Sequence, residues 1–320
     1  MQLAGIKTTQ SAHLSIAFKL RALLDKATAR FGRALVYGVP MLFLLAFFAA
    51  PFLVVLRISF SEMEGVRFKD IFGFADGEFF IKLRYATYVF LAEDPLYIKT
   101  YLSSIEFAAI TTVICLAMGY PMAYFMARSP ASIRPALVML VMLPFWTSFL
   151  LRVYAWKMLL ADSGVFNNIA IALGLIDSPV KMMHTSFSLL LGMVYTYLPF
   201  MVLPLYANLV KMDLRLLEAA RDLGASAWTA FWRVTVPLSK NGIIAGALLV
   251  FIPCVGEFVI PELLGGPQTL MIGRVLWDEF FSNNDWPMAA SVAVVMVLMI
   301  VVPLAYFNKL QNDEAQAGRS

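Results

Sequence analysis

The sequence is short of charge and of the residues that metal and nucleophile chemistry need. Asp, Glu, Lys and Arg make up 14% of its 320 residues, against roughly 25% in a soluble domain. Hydrophobic residues make up 61%, more than one soluble core can hide, which excludes a cytosolic enzyme or nucleic-acid module and leaves an integral membrane protein. The two cysteines, Cys115 and Cys254, both lie in apolar runs and read as small buried hydrophobes. The two histidines, His13 and His184, are isolated and offer no metal-ligand spacing. No Gly-Lys dipeptide occurs, so a G-x-x-x-x-G-K-[ST] phosphate loop is missing and any nucleotide hydrolysis belongs to another chain.

What is present is a set of apolar runs. A bilayer core about 30 Å thick takes about 20 residues of helix. Runs without charge at 35–56, 107–127, 186–210 and 287–308 reach that length; those at 135–151 and 241–256 fall short and are closed by Arg152 and Glu257. With a charge tolerated near one end, the expectation is an all-α integral membrane domain over 35–308. Its six transmembrane helices fall at about 35–56, 102–127, 135–157, 186–210, 241–262 and 287–308. Most Lys and Arg lie in 1–34, 128–134, 211–240 and 309–320. The positive-inside rule then makes 1–34 and the tail 309–320 cytoplasmic. The connection after the first run departs from the rule with Arg57, Arg67, Lys69, Lys82, Arg84 and Lys99, diluted by acids such as Glu62, Asp70 and Glu78. Segment 1–34 is basic and amphipathic, with Leu14, Phe18, Leu24 and Phe31 set against Lys19, Arg21, Lys26 and Arg30. A helix on the anionic inner leaflet and a solvated anchor both fit it. It does not have the form of a cleavable signal peptide.

The connection 211–240 is far longer than the usual 2 to 8 residues between helices. Asp213 is a good N-cap for a helix over Leu214 to Leu223, Gly224 a stop, and Ser226 a cap for a second helix, Ala227 to Arg233, that ends before Pro237. Trp228, Phe231 and Trp232 make this helix pair more apolar than a solvated loop requires, the mark of a protein-docking surface. Packing of the pair on its own bundle is the plainer alternative.

Glu218-Ala219-Ala220, then Gly224, then Val234-Thr235-Val236-Pro237 resembles the EAA motif of permease subunits in binding-protein-dependent ABC importers. The resemblance implies a type I ABC importer permease fold in the bacterial inner membrane. It also implies that 211–240 is a coupling loop docking on an ATP-hydrolysing subunit, through Glu218, Ala219, Ala220, Gly224, Trp228 and Pro237. The implied partners are a second permease subunit, two ATP-binding subunits that hold ATP and Mg, and a periplasmic substrate-binding protein. This chain itself would need no cofactor and bind no nucleic acid. The stretches 143–149, 152–156, 256–267, 271–281 and 285–287 resemble the putrescine branch of polyamine importer permeases, which implies a polyamine as solute. Another small solute, an ATP-independent secondary transporter and an integral-membrane enzyme are the competing classes. No inverted repeat supports the second, and no His, Cys or Ser-His-Asp constellation the third.

A dicationic solute needs carboxylates and aromatic faces along its path. Glu257 interrupts a run too short to span, so it falls in or at the margin of the membrane, where ionisable groups are functional by default. Pairing with Arg152 is the alternative. Glu106 reads either as a path residue or as a carboxylate snorkelling to the interface. Asp278 and Glu279 either receive a cation or form a solvated helix end. Trp146, Tyr154 and Trp156 either cage a cation or anchor an interfacial belt. Short amphipathic helices are expected over Asp162 to Leu175 and Leu270 to Phe281.

Overall fold

The computed structural model describes residues 35–64, 67–69, 72–75, 78–81 and 83–317. Segment 1–34 and residues 318–320, with the expectations attached to them, lie outside the described residues. The chain divides into two compact units after Ile58. The described part of the first is helix α1 (Leu35–Ser59) up to its last residue, 25 residues long and free of charge from Leu35 to Leu56, as a lipid-embedded helix is. Pro51 has no N–H to give to the turn before it. The helix absorbs this by widening into a π-turn over Leu45–Ala49, closed by the Ala50 N–H on the Leu45 carbonyl.

In the second unit the connection that follows is not the plain loop of an all-α chain. It forms two small antiparallel hairpins, β1 (Met63–Glu64) with β2 (Arg67–Phe68) and β3 (Phe72–Ala75) with β4 (Glu78–Ile81). The registers pair Glu64 with Arg67 and Ala75 with Glu78. In the sequence, Asp76-Gly77 between aromatic-rich runs is a strong hairpin signal.

Next come α2 (Ala86–Glu93) and the 34-residue α3 (Pro95–Arg128), opened by Asp94 Oδ1 accepting from the Leu96 N–H at 2.8 Å with Pro95 at the first helical position. The expected third span is broken. Helix α4 (Arg134–Trp146) tightens into a 3₁₀ turn at Pro144 and stops, and the chain resumes as α5 (Phe149–Leu160) and α6 (Val165–Ala172), turned by 83°. Pro144 withholds a backbone donor from the turn before it, which weakens the helix at that point.

Helix α7 (Ser186–Leu209) starts from a capping box of Thr185 and Ser188. The connection 211–240 holds α8 (Arg215–Asp222) and α9 (Ala227–Leu238). The latter passes through Pro237 rather than ending before it. A π-turn over Phe231–Thr235, closed by the Val236 N–H on the Phe231 carbonyl, makes room just as in α1. Helix α10 (Lys240–Val255) is bent 65° from α9. It ends short of the expected 241–262 span, and after a break at 256–258 the chain forms α11 (Val259–Leu264). Helix α12 (Ile272–Trp277), extended by a π-turn over Asp278–Ser282, precedes the long α13 (Trp286–Ala317). Among the described residues, four helices are long and apolar enough to cross a membrane, up to six if each bent pair is one span.

The core of this unit is α3, α7 and α10. Lipid tails give apolar helices no reason to associate, so close backbone approach at small residues must hold them. A Cβ on Gly246 of α10 would lie 2.7 Å from Met201 Sδ of α7, one on Gly242 2.8 Å from Asn208 Cβ, and one on Gly192 2.6 Å from Leu264 Cδ1 of α11. Met193, Met201, Val202, Leu205 and Val250 are fully buried around these contacts. Gly246→Leu is expected to cost about 1–3 kcal/mol by overpacking, read as a lower Tm of the purified protein. An unchanged Tm would show that α7 and α10 do not meet there.

Candidate functional site

The α8–α9 connection is built by capping. Asp213 Oδ1 accepts from the Arg215 N–H at 3.0 Å. Gly224 has φ +83°, with its N–H on the Arg221 carbonyl (2.8 Å) and the Ala225 N–H on the Ala220 carbonyl (3.0 Å). That pair of bonds is a Schellman stop, which favours glycine at the left-handed position. Ser226 Oγ accepts from the Thr229 N–H at 3.2 Å and starts α9.

The resulting knob is apolar where it is bare: Leu223 is 89% exposed, Trp228 71%, and Trp232, Leu216 and Leu238 are exposed too. Glu218, Ala219 and Pro237 are exposed and Ala220 is half-buried. Phe231 faces the other way. Its ring sits edge-on against Tyr120 (5.5 Å) and Tyr124 (5.9 Å) of α3, while Tyr120 Oη and Ser239 Oγ share a hydrogen bond of 2.8 Å at the α9–α10 junction. Trp228 stacks on Phe231 at 6.1 Å. The knob is therefore wedged to α3 through one ring and leaves a tryptophan outward. Tyr120, Tyr124 and Ser239 were not among the expected residues; nothing in a tyrosine pair at helical spacing tells which partner it meets.

The second site is the break between α10 and α11. Tyr197 Oη of α7 donates to Glu257 Oε2. Glu257 Oε1 accepts from the Val259 (3.0 Å) and Ile260 (3.4 Å) N–H groups and so caps α11. A helix broken at membrane depth needs its freed backbone groups satisfied within the protein, and this carboxylate does that. A Cβ on Gly273 would lie 2.5 Å from the Gly256 and Glu257 carbonyl oxygens, so α12 rests directly on the break. Phe258 stacks on Trp277 at 4.6 Å with rings 10° from parallel, and Arg274 Nε lies 2.7 Å from Glu262 Oε2 as an ion pair.

Arg152 does not pair with Glu257 among the described residues. Its guanidinium lies over Phe145 (5.3 Å) and Phe149 (5.8 Å), with Nε and Nη1 buried and without a hydrogen-bond partner. Glu279 holds structure together: Tyr97 Oη donates to its Oε1 at 2.7 Å and Asn283 Nδ2 to its Oε2 at 2.9 Å. Asp278 is half-buried beside it in the π-turn. Glu106 is exposed on the wall of a cavity of about 580 Å³ that it shares with Glu93, Lys99 and Gln268. Trp146 is 69% exposed and Tyr154 is exposed, whereas Trp156 packs between Phe166 (6.3 Å) and Tyr195 (5.4 Å). Of the expected path residues, then, Glu257 forms a built centre, and its partner Tyr197 was missed. The available signal was weak: a tyrosine hydroxyl inside a charge-free run has to find a partner.

A helical chain whose core is three closely packed apolar helices, carrying a capped helix pair between two of them, has the fold of an ABC transporter membrane component. A bacterial ABC transporter that imports the acidic polysaccharide alginate shares it, with a TM-score of 0.65 over 92% of this chain and 99% of that one at 16% identity. The family model of the binding-protein-dependent transport system inner membrane component matches residues 116–308. The spermidine/putrescine transport system permease protein PotB of Haemophilus influenzae is 40% identical over 276 residues, 85% of this chain and 93% of that protein. PotB of Escherichia coli is 42% identical over 226 residues, 70% of this chain and 82% of that one. The chain belongs to the family of binding-protein-dependent transport system inner membrane components.

Tyr197→Phe removes a hydrogen bond to a charged group and is expected to cost about 1.5–3 kcal/mol, read by thermal unfolding. Combined with Glu257→Gln it should cost less than the two single changes added together. Full additivity would mean that the two side chains do not interact.

Proposed function

We propose that this chain is one of two permease subunits of an ATP-driven importer of polyamines, putrescine above all, with six spans and both termini in the cytoplasm. The observation that carries the coupling role is the knob itself, whose Schellman stop at Gly224 holds Leu223 and Trp228 bare beside Glu218 and Ala219. An apolar projection of this kind is covered by a partner in the working assembly, here one of two subunits that bind ATP and Mg. The polyamine assignment is supported by the names of the PotB relatives and by the chemistry at Glu257. A carboxylate offers about four lone-pair directions. Tyr197, Val259 and Ile260 take up three, which leaves one for an ammonium group delivered by a periplasmic binding protein.

The mechanism is two-state. Closure of the ATP-binding subunits draws the knob inward, and Phe231 carries the movement to Tyr120 and Tyr124 of α3. Helix α3 is roughly 50 Å long at 1.5 Å per residue. Near its far end Ser104 Oγ accepts from the Ile272 N–H at 2.7 Å and Tyr101 Oη donates to the Val292 carbonyl at 2.8 Å. A continuous helix joined at both ends shifts with both, and Pro121, between the two tyrosines of the wedge, is the place where it can bend.

Deleting this chain is expected to abolish uptake of labelled putrescine and restoring it to recover uptake; persistence of uptake without a redundant carrier would refute the polyamine assignment and leave the permease role intact. Gly224→Pro cannot adopt φ +83° and is expected to abolish uptake at normal membrane levels, whereas undiminished uptake would refute the coupling role.

A further inference from the structure

We propose that the cavity between α5, α6 and the start of α7 is a phospholipid site, taking one acyl chain in the cavity and the headgroup phosphate at Lys157 and Lys181. The cavity measures about 510 Å³ and is lined by Trp156, Leu160, Phe166, Ala170, Phe187 and Leu191 among others, a volume within the about 300–1,000 Å³ range of small-molecule sites. Apart from the Trp156 indole N–H, the polar side chain of its lining is Asn167, which is already committed. Fully buried, it donates from Nδ2 to the Ala161 (3.3 Å) and Val180 (3.0 Å) carbonyls and accepts at Oδ1 from the Val180 N–H (2.9 Å). These bonds tie the strap around Val180 over α6, so the walls stand preformed, and the Trp156 indole N–H by itself does not supply the two to four partners that a water needs.

What enters must be apolar, flexible and abundant around an inner-membrane protein. A helix of a partner subunit is about 10–12 Å across and does not fit a slot of this volume, whereas a single hydrocarbon chain does. Phe166 and Phe187 are exposed, so the slot is open to its surroundings. The charges flanking it complement a phosphate: Lys157 follows Trp156, and Lys181 stands between Val180 and Met182, both exposed. Asp177, beside Ile176, is the one acidic residue next to a lining position, which leaves the lysines in excess. The inference does not depend on which solute is carried.

The test uses the assembled transporter in phospholipid nanodiscs containing phosphatidylethanolamine with a photoactivatable group near the end of one acyl chain. After illumination, labelled residues are mapped by mass spectrometry. The expected result is enrichment at Phe166, Ala170, Phe187 or Leu191 over the exposed faces of α1 and α4. Ala170→Trp, which fills the slot, should remove that enrichment. Lys157→Gln and Lys181→Gln should each lower it about fivefold, from the typical contribution of one basic residue near a membrane surface. Because both lysines are exposed, those two variants keep the test open if Ala170→Trp fails to assemble. Even labelling of all exposed faces, enrichment unaffected by the lysine variants, or protection of the slot by a partner subunit would each overturn the proposal.

Discussion

The close approach of α7 and α10 at Gly242 and Gly246 is the contact on which the rest of the second unit depends. In water, apolar faces would drive the helices together; in lipid they gain nothing by leaving one apolar medium for another. Contact then has to come from shape, and a glycine that lets Met201 settle against bare backbone supplies it. With α7 and α10 locked, Tyr197 of one helix reaches Glu257 just past the end of the other. The break at 256–258 is thereby closed within the protein, and α11 and α12 have a surface to fold back on. A wider α7–α10 spacing would strand a carboxylate and several backbone groups in a poorly solvated place.

The knob and the segment around α12 and α13 are held by opposite ends of α3. Phe231, at the root of the knob, rests on Tyr120 and Tyr124, while Ser104, Tyr101 and Tyr97, nearer the start of α3, hold the segment around α12 and α13. The bonds at the far end are hydrogen bonds to backbone or to a carboxylate, directional and short, and the contact at the near end is an aromatic wedge. A helix held in this way at both ends links the two, with Pro121 as the weak point of its hydrogen-bond ladder beside the wedge, and that link is what the proposed coupling of ATP closure to solute passage requires. The same outlook explains the π-turns before Pro51 and Pro237: each keeps a helix continuous through a proline that would otherwise break it.

Local chemistry made parts of this legible. Long charge-free runs announce helices because backbone polar groups in a bilayer must be satisfied within the element, and Asp213, Gly224 and Ser226 announce the knob because capping is decided by neighbours a few residues away. The hairpins were equally local, and Asp76-Gly77 was the overlooked signal. The break at Thr147-Ser148 was not visible, because the charge-free run 135–151 continues across it, while at 256–258 the run does end at Glu257 but a carboxylate there fits a helix end as well as a break. At Glu257 the residue could be singled out, since a lone carboxylate at the end of a short apolar run is costly. Its partner could not, and Arg152 was as plausible by composition as Tyr197.

By itself, then, the sequence determined that the chain lives in a membrane, which stretches are helical though not where each helix breaks or ends, and which long connection carries a capped knob. Each of these follows from interactions within about five residues or from the length of an apolar run. Only the tertiary structure decided that Tyr197 rather than Arg152 meets Glu257, that Phe231 faces inward while Trp228 faces out, and that Glu279 is bound up in the fold. Those outcomes depend on pairs 60 to 182 residues apart, such as Tyr197 with Glu257 and Tyr97 with Glu279. In lipid such pairs are selected by which backbones can come close, a matter of shape that no local pattern records.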